Sequence, residues 1–232
     1  MSSIIDKIQH RLLALRLEPI RVFCFHQTSE TFDAAGMWEC DWTPIEQFKR
    51  NILRIKGQYT FISLPEAYEK LQHDTIRLKK YAVLTADDGW ASLQNIIPWL
   101  AEQQIPITLF VNPAYLDSRH YQNRPTERLL TRGDITEYIK KYPDLISIAS
   151  HGYNHVDACA LSETEFENNV LEAESALAKM PNKIAYYAFA YGHYLAEQLE
   201  ILRKYQLVPV LVDGRRNIKY DGVIHRESID GK

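Results

Sequence analysis

YAVLTADDG, residues 81–89, is a run of β-branched, aromatic and small residues that ends in two aspartates and a glycine. The near-continuous apolar character of residues 81–86 predicts a strand that is buried on both faces. Asp-Gly is a frequent turn dipeptide, so the strand is expected to end at Ala86. The pair Asp87–Asp88 therefore follows the carboxyl end of a buried strand, although a solvated turn would explain two aspartates equally well.

Similar runs recur along the chain and alternate with amphipathic stretches. They predict further strands at 20–25, 59–63, 107–111, 145–149, 184–190 and 207–212, and helices near 44–56, 65–72, 91–103, 134–141, 162–179 and 194–204. The 162–179 helix has the clearest start, because Ser162 and Glu165 match a capping box. Strands that alternate with helices indicate parallel β/α units, and seven such units favour a closed or nearly closed α/β barrel.

Composition narrows the class of protein. The 232 residues are 46% hydrophobic and 25% charged, and the formal net charge is −3, so the chain is globular and carries no basic excess to attract nucleic acid. No apolar run approaches the ~20 residues of a membrane span. The first residues offer no signal-peptide core, which predicts a cytoplasmic protein. We expect a single domain over 1–232, with an N-terminal helix over 1–18; the oligomeric state is open.

Several polar residues directly follow predicted strands, where a barrel gathers its chemistry. They are His26, Asp87, Asp88, Asn112, His151, His155, Tyr191 and Asp213. His151 and His155 are four residues apart, so one helical turn would put them on one face. Two imidazoles and a carboxylate form a recognisable divalent-metal site.

Two ordered motifs resemble those of the polysaccharide deacetylase family, the NodB-homology domain of carbohydrate esterases. Thr85-Ala86-Asp87-Asp88-Gly89 is similar to the family's Thr-Phe-Asp-Asp-Gly, and residues 151–155, HGYNH, to His-Ser/Thr-x-x-His with glycine at the hydroxyl position. The resemblance covers roughly residues 20–228 and implies a distorted (β/α)7 barrel. It also implies that Asp88, His151 and His155 bind one divalent metal, with zinc first and cobalt, nickel, iron or manganese as alternatives, and that Asp87 is the general base.

The third motif departs from the family pattern. Where the family has Arg-Pro-Pro-Tyr-Gly, this chain has AFAYG at 188–192, so the arginine that commonly steers the base is replaced by Ala188. This looks like the branch that deacetylates the β-linked N-acetylglucosamine adhesin of biofilms. Tyr191 remains, and the resemblance implies that its backbone N–H holds the oxyanion and that the residue contacts substrate.

Two histidines compete for the role of general acid. His26 follows the first strand, as in the adhesin branch, whereas His225 loosely matches the commoner C-terminal motif of the family. We favour His26 and place His225 among the residues that contact substrate. The loop with Trp38, Asp41 and Trp42 offers aromatic faces for a sugar ring, with Trp42 as the candidate, although these side chains could equally pack on the barrel.

The expected activity is metal-dependent removal of N-acetyl groups from an amino sugar or polysaccharide. One alternative keeps the barrel and hydrolyses another non-peptide C–N bond, that of a cyclic imide or ureide. Another is a carbohydrate-binding relative without turnover. The presence of Asp87 argues against the binder, because pure binding needs no base beside a metal.

Overall fold

The computed structural model describes residues 17–32, 41–74, 77–117 and 128–231. The described strands are β1 (Ile20–Phe25), β2 (Gln27–Ser29), β3 (Trp42–Pro44), β4 (Thr60–Phe61), β5 (Tyr81–Ala86), β6 (Ile107–Val111), β7 (Ile146–Ser150), β8 (Lys183–Ala188), β9 (Val208–Val212) and β10 (Ile224–Ser228). The described α-helices are α1 (Ile45–Lys56), α2 (Leu64–His73), α3 (Ile97–Glu102), α4 (Arg132–Lys141), α5 (Glu163–Leu177) and α6 (Ala196–Lys204).

Seven parallel strands close into a ring in the spatial order β1, β5, β6, β7, β8, β9, β10 and back to β1. The pairing of β1 with β5 extends over the whole of both strands, from Ile20 opposite Tyr81 to Phe25 opposite Ala86. On its other edge β1 pairs with the last strand, where Phe23 lies opposite Glu227. The predicted (β/α)7 barrel is therefore confirmed, and the carboxyl ends of all seven strands meet at one mouth.

The seventh strand of the ring is not the one predicted. The 59–63 segment is a strand only at Thr60–Phe61, which pairs with the first residues of β5. The later residues of the same edge of β5 pair with β6. The ring is completed by β10, which the sequence analysis had not predicted as a strand. Its inward-facing residues include Arg226, and a charged residue in the middle of a strand hides the apolar pattern on which strand prediction depends.

The helices cover the outside of the barrel through one apolar face each. In α1 the buried residues Phe48 and Ile52 face the barrel, and the Phe48 ring lies 4.6 Å from that of Phe25 on β1. In α5 the buried Phe166 stacks on Phe189, with 5.9 Å between ring centroids. Phe189 directly follows β8, so α5 is fixed against the mouth of the barrel as well as its wall.

The predicted 91–103 helix is divided in two. A 3₁₀ turn over Ala91–Asn95 precedes α3, and Pro98 lies in the first turn of α3, where its missing N–H costs no hydrogen bond. The predicted helix over 1–18 falls almost wholly outside the described residues. Among the described helices, none has the length and apolar character that crossing a bilayer requires.

The capping box of α5 gives a stability prediction. Ser162 Oγ accepts a hydrogen bond from the backbone N–H of Glu165 at 3.4 Å and donates to Glu165 Oε2 at 2.6 Å, while the backbone N–H of Ser162 donates to the same Oε2 at 2.8 Å. Ser162→Ala is expected to lower the free energy of unfolding in urea by about 1 kcal/mol, because this cap is lost. Ser175→Ala, at an exposed position inside the same helix, is the control. It should leave stability unchanged or raise it by up to about 0.5 kcal/mol; an equal loss in both variants would contradict the role of the cap.

Candidate metal and catalytic site

A tight turn after β5 sends two adjacent carboxylates in different directions. Asp88 and Gly89 both have left-handed backbone, with φ of 71° and 75°. Aspartate tolerates this region better than most residues, and Gly89 is needed because a Cβ there would lie 3.1 Å from Val111 Cγ1. Asp87 consequently turns into the barrel, and Asp88 faces the loop after β7.

Asp88 meets the two predicted histidine ligands. Its Oδ1 lies 3.4 Å from His151 Nε2 and 3.1 Å from His155 Nε2, and the three candidate ligand atoms are all within 4.8 Å of one another. The second carboxylate oxygen accepts a hydrogen bond from Trp90 Nε1 at 3.0 Å, which fixes the rotation of the carboxylate. Burial opposes the charge of Asp88, but the close approach of His155 and His151 holds the pKa of Asp88 well below its usual range.

The chemistry of these three residues fits a divalent cation. His151 Nδ1 lies 2.9 Å from the carbonyl oxygen of Ala188. A carbonyl only accepts, so Nδ1 carries a proton, and in the neutral form of the ring the lone pair of Nε2 faces Asp88. Asp88 Oδ1 is buried and accepts no hydrogen bond from the described residues. A lone pair that faces a bare carboxylate oxygen is unfavourable unless a cation lies between them, and N₂O donor sets suit zinc and its first-row neighbours.

The loop that carries the two histidines is held from the neighbouring strand. Asn112, directly after β6, donates through Nδ2 to the carbonyl oxygens of His151 and Gly152 at 2.6 and 3.1 Å. Tyr115 donates through its hydroxyl to the carbonyl oxygen of Asn154 at 3.0 Å. Asn112, which the sequence places at a strand end, therefore supports the loop that carries His151 and His155 rather than facing a substrate.

Asp87 is paired with an arginine that the sequence analysis did not assign to it. Arg226 of β10 is fully buried and donates two hydrogen bonds to the Asp87 carboxylate, at 2.6 and 2.8 Å. Burial alone would raise the pKa of Asp87, but the charge and hydrogen bonds of Arg226, together with the nearby histidines, lower that pKa. The arginine missing at Ala188 is thus replaced from another strand, and Asp87 is kept as an anion.

His26 is paired with a second unpredicted residue, Asp230. His26 Nδ1 lies 2.7 Å from Asp230 Oδ2, and its backbone N–H donates to Asp230 Oδ1 at 3.0 Å. Burial disfavours the imidazolium, yet the hydrogen bond to Asp230 and the charges of Asp88 and Asp87 raise the pKa of His26 to about 10. Because Nδ1 is engaged by Asp230, Nε2 is the ring nitrogen of His26 that could donate a hydrogen bond to another group.

Tyr191 and Trp42 lie at the rim. Tyr191 is 52% exposed, has a left-handed backbone with φ of 61°, and its ring centroid is 4.7 Å from that of His155. Left-handed backbone is strained for an aromatic residue, and such strain persists where the fold enforces it, often at a functional site. Trp42 pairs in β3 with Gln27, next to His26, and donates through Nε1 to Ser29 Oγ at 2.8 Å. Trp38 lies outside the described residues.

His225 is not with this group. Neighbouring residues of a strand face opposite sides, and because Arg226 points into the barrel, His225 points out of it. Its ring nitrogens lie 2.8 Å from Asp213 and 3.2 Å from Asp221. Asp213, predicted at the mouth, thus contacts His225 and Arg215. The structure brings together the other predicted residues: Asp87, Asp88, His151, His155, His26 and Tyr191.

Arg226 and Asp230 could have been found from the sequence if 224–228 had been taken as a strand. Ile224, Arg226 and Ser228 then share one face, and a lone arginine on a buried face requires an anionic partner. Asp230 would have been the polar residue just past that strand. The same strand-end rule that selected His26 and Asp87 would have selected it.

The family model for polysaccharide deacetylases matches residues 75–210, which is more than half of the chain. The chain belongs to the polysaccharide deacetylase family. This confirms the resemblance inferred from residues 85–89 and 151–155. No functionally curated protein matches the chain significantly.

Solved structures with the same fold include three from bacteria, two of which are described as deacetylases. IcaB from Ammonifex degensii has a TM-score of 0.78 at 18% identity, over 93% of this chain and 94% of that one. PplD of Streptococcus pyogenes, solved in complex with acetate, has a TM-score of 0.75 at 19% identity, over 92% and 93%. The BpsB deacetylase domain of Bordetella bronchiseptica has a TM-score of 0.69 at 16% identity, over 91% and 96%. At these identities the likeness shows the fold.

The His26–Asp230 pair generates a prediction for the metal-free protein. Removing the Asp230 carboxylate should lower the pKa of His26 from about 10, because the hydrogen bond and the nearby negative charge are both lost. For Asp230→Asn we expect a midpoint roughly one to three pH units lower in an NMR titration of the imidazole ring. Asp213→Asn, which removes a carboxylate from His225 instead, should leave the His26 midpoint in place. An unchanged midpoint in Asp230→Asn would contradict the pairing.

Proposed function

We propose that this protein is a metal-dependent hydrolase that removes N-acetyl groups from an amino sugar within a glycan, with zinc as the first candidate metal. One observation carries the proposal: Asp88 Oδ1, buried and without a hydrogen-bond donor, faces the Nε2 atoms of His151 and His155. Membership of the polysaccharide deacetylase family supports the acetylated glycan as the substrate class.

The surroundings of Asp87 and His26 give these two side chains opposite protonation states. Arg226 keeps Asp87 ionised, and Asp230 keeps His26 protonated at neutral pH. Two titratable groups whose pKa values are pushed in opposite directions are the usual sign of an acid–base pair. A cation at Asp88 would offset part of the negative field that raises the pKa of His26 and move it toward neutrality, where a general acid is most effective.

The steps assigned to the chain are proton transfers and positioning. A divalent ion in such a site lowers the pKa of water and polarises an acyl oxygen. Asp87 accepts the proton of the attacking water, and Arg226 holds the carboxylate oriented while it does so. His26 donates a proton from Nε2 to the departing amine nitrogen, which is a poor leaving group until protonated. The backbone N–H of Tyr191 is assigned to the developing oxyanion.

The two residues at the rim, Trp42 and Tyr191, are proposed to contact the sugar. Trp42 lies opposite Gln27, the neighbour of His26, and the Tyr191 ring lies beside that of His155. Aromatic faces pack well against the apolar face of a pyranose ring. Substrate contact through these two side chains is therefore part of the proposal, whereas His225 is given no role in it, because its ring faces out of the barrel.

Metal content and activity should separate the ligands from the base. Purified protein is expected to hold close to one divalent ion per chain and to release acetate from N-acetylglucosamine oligomers. His155→Ala should lose most of the metal and the activity, whereas Asp87→Asn should keep the metal and lose activity by ~10²–10⁴-fold. His73→Ala, exposed on α2, is the control and should change neither. Undiminished metal in His155→Ala, or a loss below tenfold in Asp87→Asn, would refute these assignments.

The acid is tested by the leaving group. His26→Ala should reduce hydrolysis of an unactivated acetamide far more than hydrolysis of an acetate ester whose leaving group needs no proton. His225→Ala is the matched variant, and any loss it causes through the fold should be equal for the two substrates. The kcat/KM ratio of amide to ester in each variant is the measurement. If the ratio falls in His225→Ala and not in His26→Ala, the acid has been assigned to the wrong histidine.

A further inference from the structure

The 151–155 loop does not adopt a regular conformation. Gly152 and His155 have left-handed backbone, with φ of 78° and 51°. A histidine in this region is held there at a cost, so contacts elsewhere must select the conformation. The direction of the His155 imidazole therefore depends on whatever fixes Tyr153 and Asn154, the residues between the glycine and the second metal ligand.

Asn169, in the second turn of α5 and outside the family motifs, contacts both of these residues. Its Oδ1 accepts a hydrogen bond from the backbone N–H of Tyr153 at 2.9 Å. Its Nδ2 donates to Asn154 Oδ1 at 2.8 Å. A single side-chain amide thus fastens the middle of the loop to a helix.

Glycine at position 152 suits both the left-handed backbone and the close approach of two side chains. A Cβ on Gly152 would lie 3.1 Å from the Tyr187 hydroxyl and 3.2 Å from Asn169 Oδ1. The space in which the family motif carries a hydroxyl side chain is therefore bordered in this protein by Tyr187 of β8 and Asn169 of α5.

The helix is a rigid support for such a contact. Phe166 and Val170, on either side of Asn169 in sequence, are fully buried, and the Phe166 ring packs against Tyr187 and Phe189. Tyr115, in the segment after β6, donates through its hydroxyl to the carbonyl oxygen of Asn154. The loop is thereby held both by α5 and by the segment after β6.

We propose that Asn169 is a positioning residue that fixes the His151–His155 loop from α5 and so sets the affinity of the metal site. The inference rests on the proposed function, since it assumes that the three ligands bind a divalent ion. Groups that orient metal ligands from outside the coordination sphere typically contribute 10–100-fold to metal affinity. The effect of Asn169 should be of this size and should act on affinity rather than on folding.

The test measures Zn²⁺ affinity by competition with a chromogenic chelator, together with the melting temperature of each metal-free variant. Asn169→Ala should bind Zn²⁺ about 10–100-fold more weakly than the parent. Asn168→Ala is the matched control: the same change one residue earlier on α5, at an exposed position. It should bind Zn²⁺ as the parent does. Asn169→Asp keeps an oxygen for the Tyr153 N–H, and the Asn154 amide can turn its NH₂ toward it, so affinity should largely be retained.

Each other outcome refutes a stated part of the inference. Parent-like affinity in Asn169→Ala would overturn it, as would an equal loss in Asn168→Ala. A melting temperature of metal-free Asn169→Ala far below that of Asn168→Ala would show that Asn169 stabilises the fold instead, and an equal loss of affinity in Asn169→Asp would show that the hydrogen bonds are not the cause. Failure of the parent protein to bind Zn²⁺ would remove the proposed function itself, which distinguishes the two failures.

Discussion

The buried ion pair between Arg226 and Asp87 is the interaction on which the site depends. Both side chains are withdrawn from solvent, and the guanidinium lies 5.0 Å from the centre of the Phe110 ring and 3.1 Å from Thr85 Oγ1. Removing one member of such a pair leaves an unpaired buried charge, at a cost of about 3–5 kcal/mol. The pair also joins the turn after β5 to β10, two strands that both border β1 in the ring.

The same pair makes the Asp87–Asp88 dipeptide possible. Two adjacent carboxylates in a buried site would normally force one of them to take up a proton. Here each carboxylate has its own partners: Arg226 for Asp87, and the two histidines, with the proposed cation, for Asp88. The left-handed turn at Asp88 keeps the partners of the two carboxylates apart. The proposed base and the proposed metal ligand can therefore be neighbours in sequence without sharing a proton.

The sequence predicted the site residues that belong to local motifs. It did not predict the side-chain pairs whose two members come from distant strands. Asp88, His151 and His155 follow recognisable strands, so residue type and strand-end position sufficed to group them. Arg226 and Asp230 were given no role, because their partners Asp87 and His26 are distant in the chain and because charged residues obscured β10 as a strand. His225 was placed with the site because it loosely matches the C-terminal motif of the family. Only the orientation of β10, set by Arg226, shows that His225 points outward.

The closure of the ring by its first and last strands has a consequence for biosynthesis. His26 and Asp230 are separated by 204 positions, and Asp87 and Arg226 by 139. On the ribosome, a chain that has emerged only as far as β9 already has all three candidate metal ligands and both candidate acid and base side chains. It lacks Asp230 and Arg226, the partners that set the charges of His26 and Asp87, and its barrel is still open between β1 and β9. These two pairs can form only after residues 224–230 have left the exit tunnel.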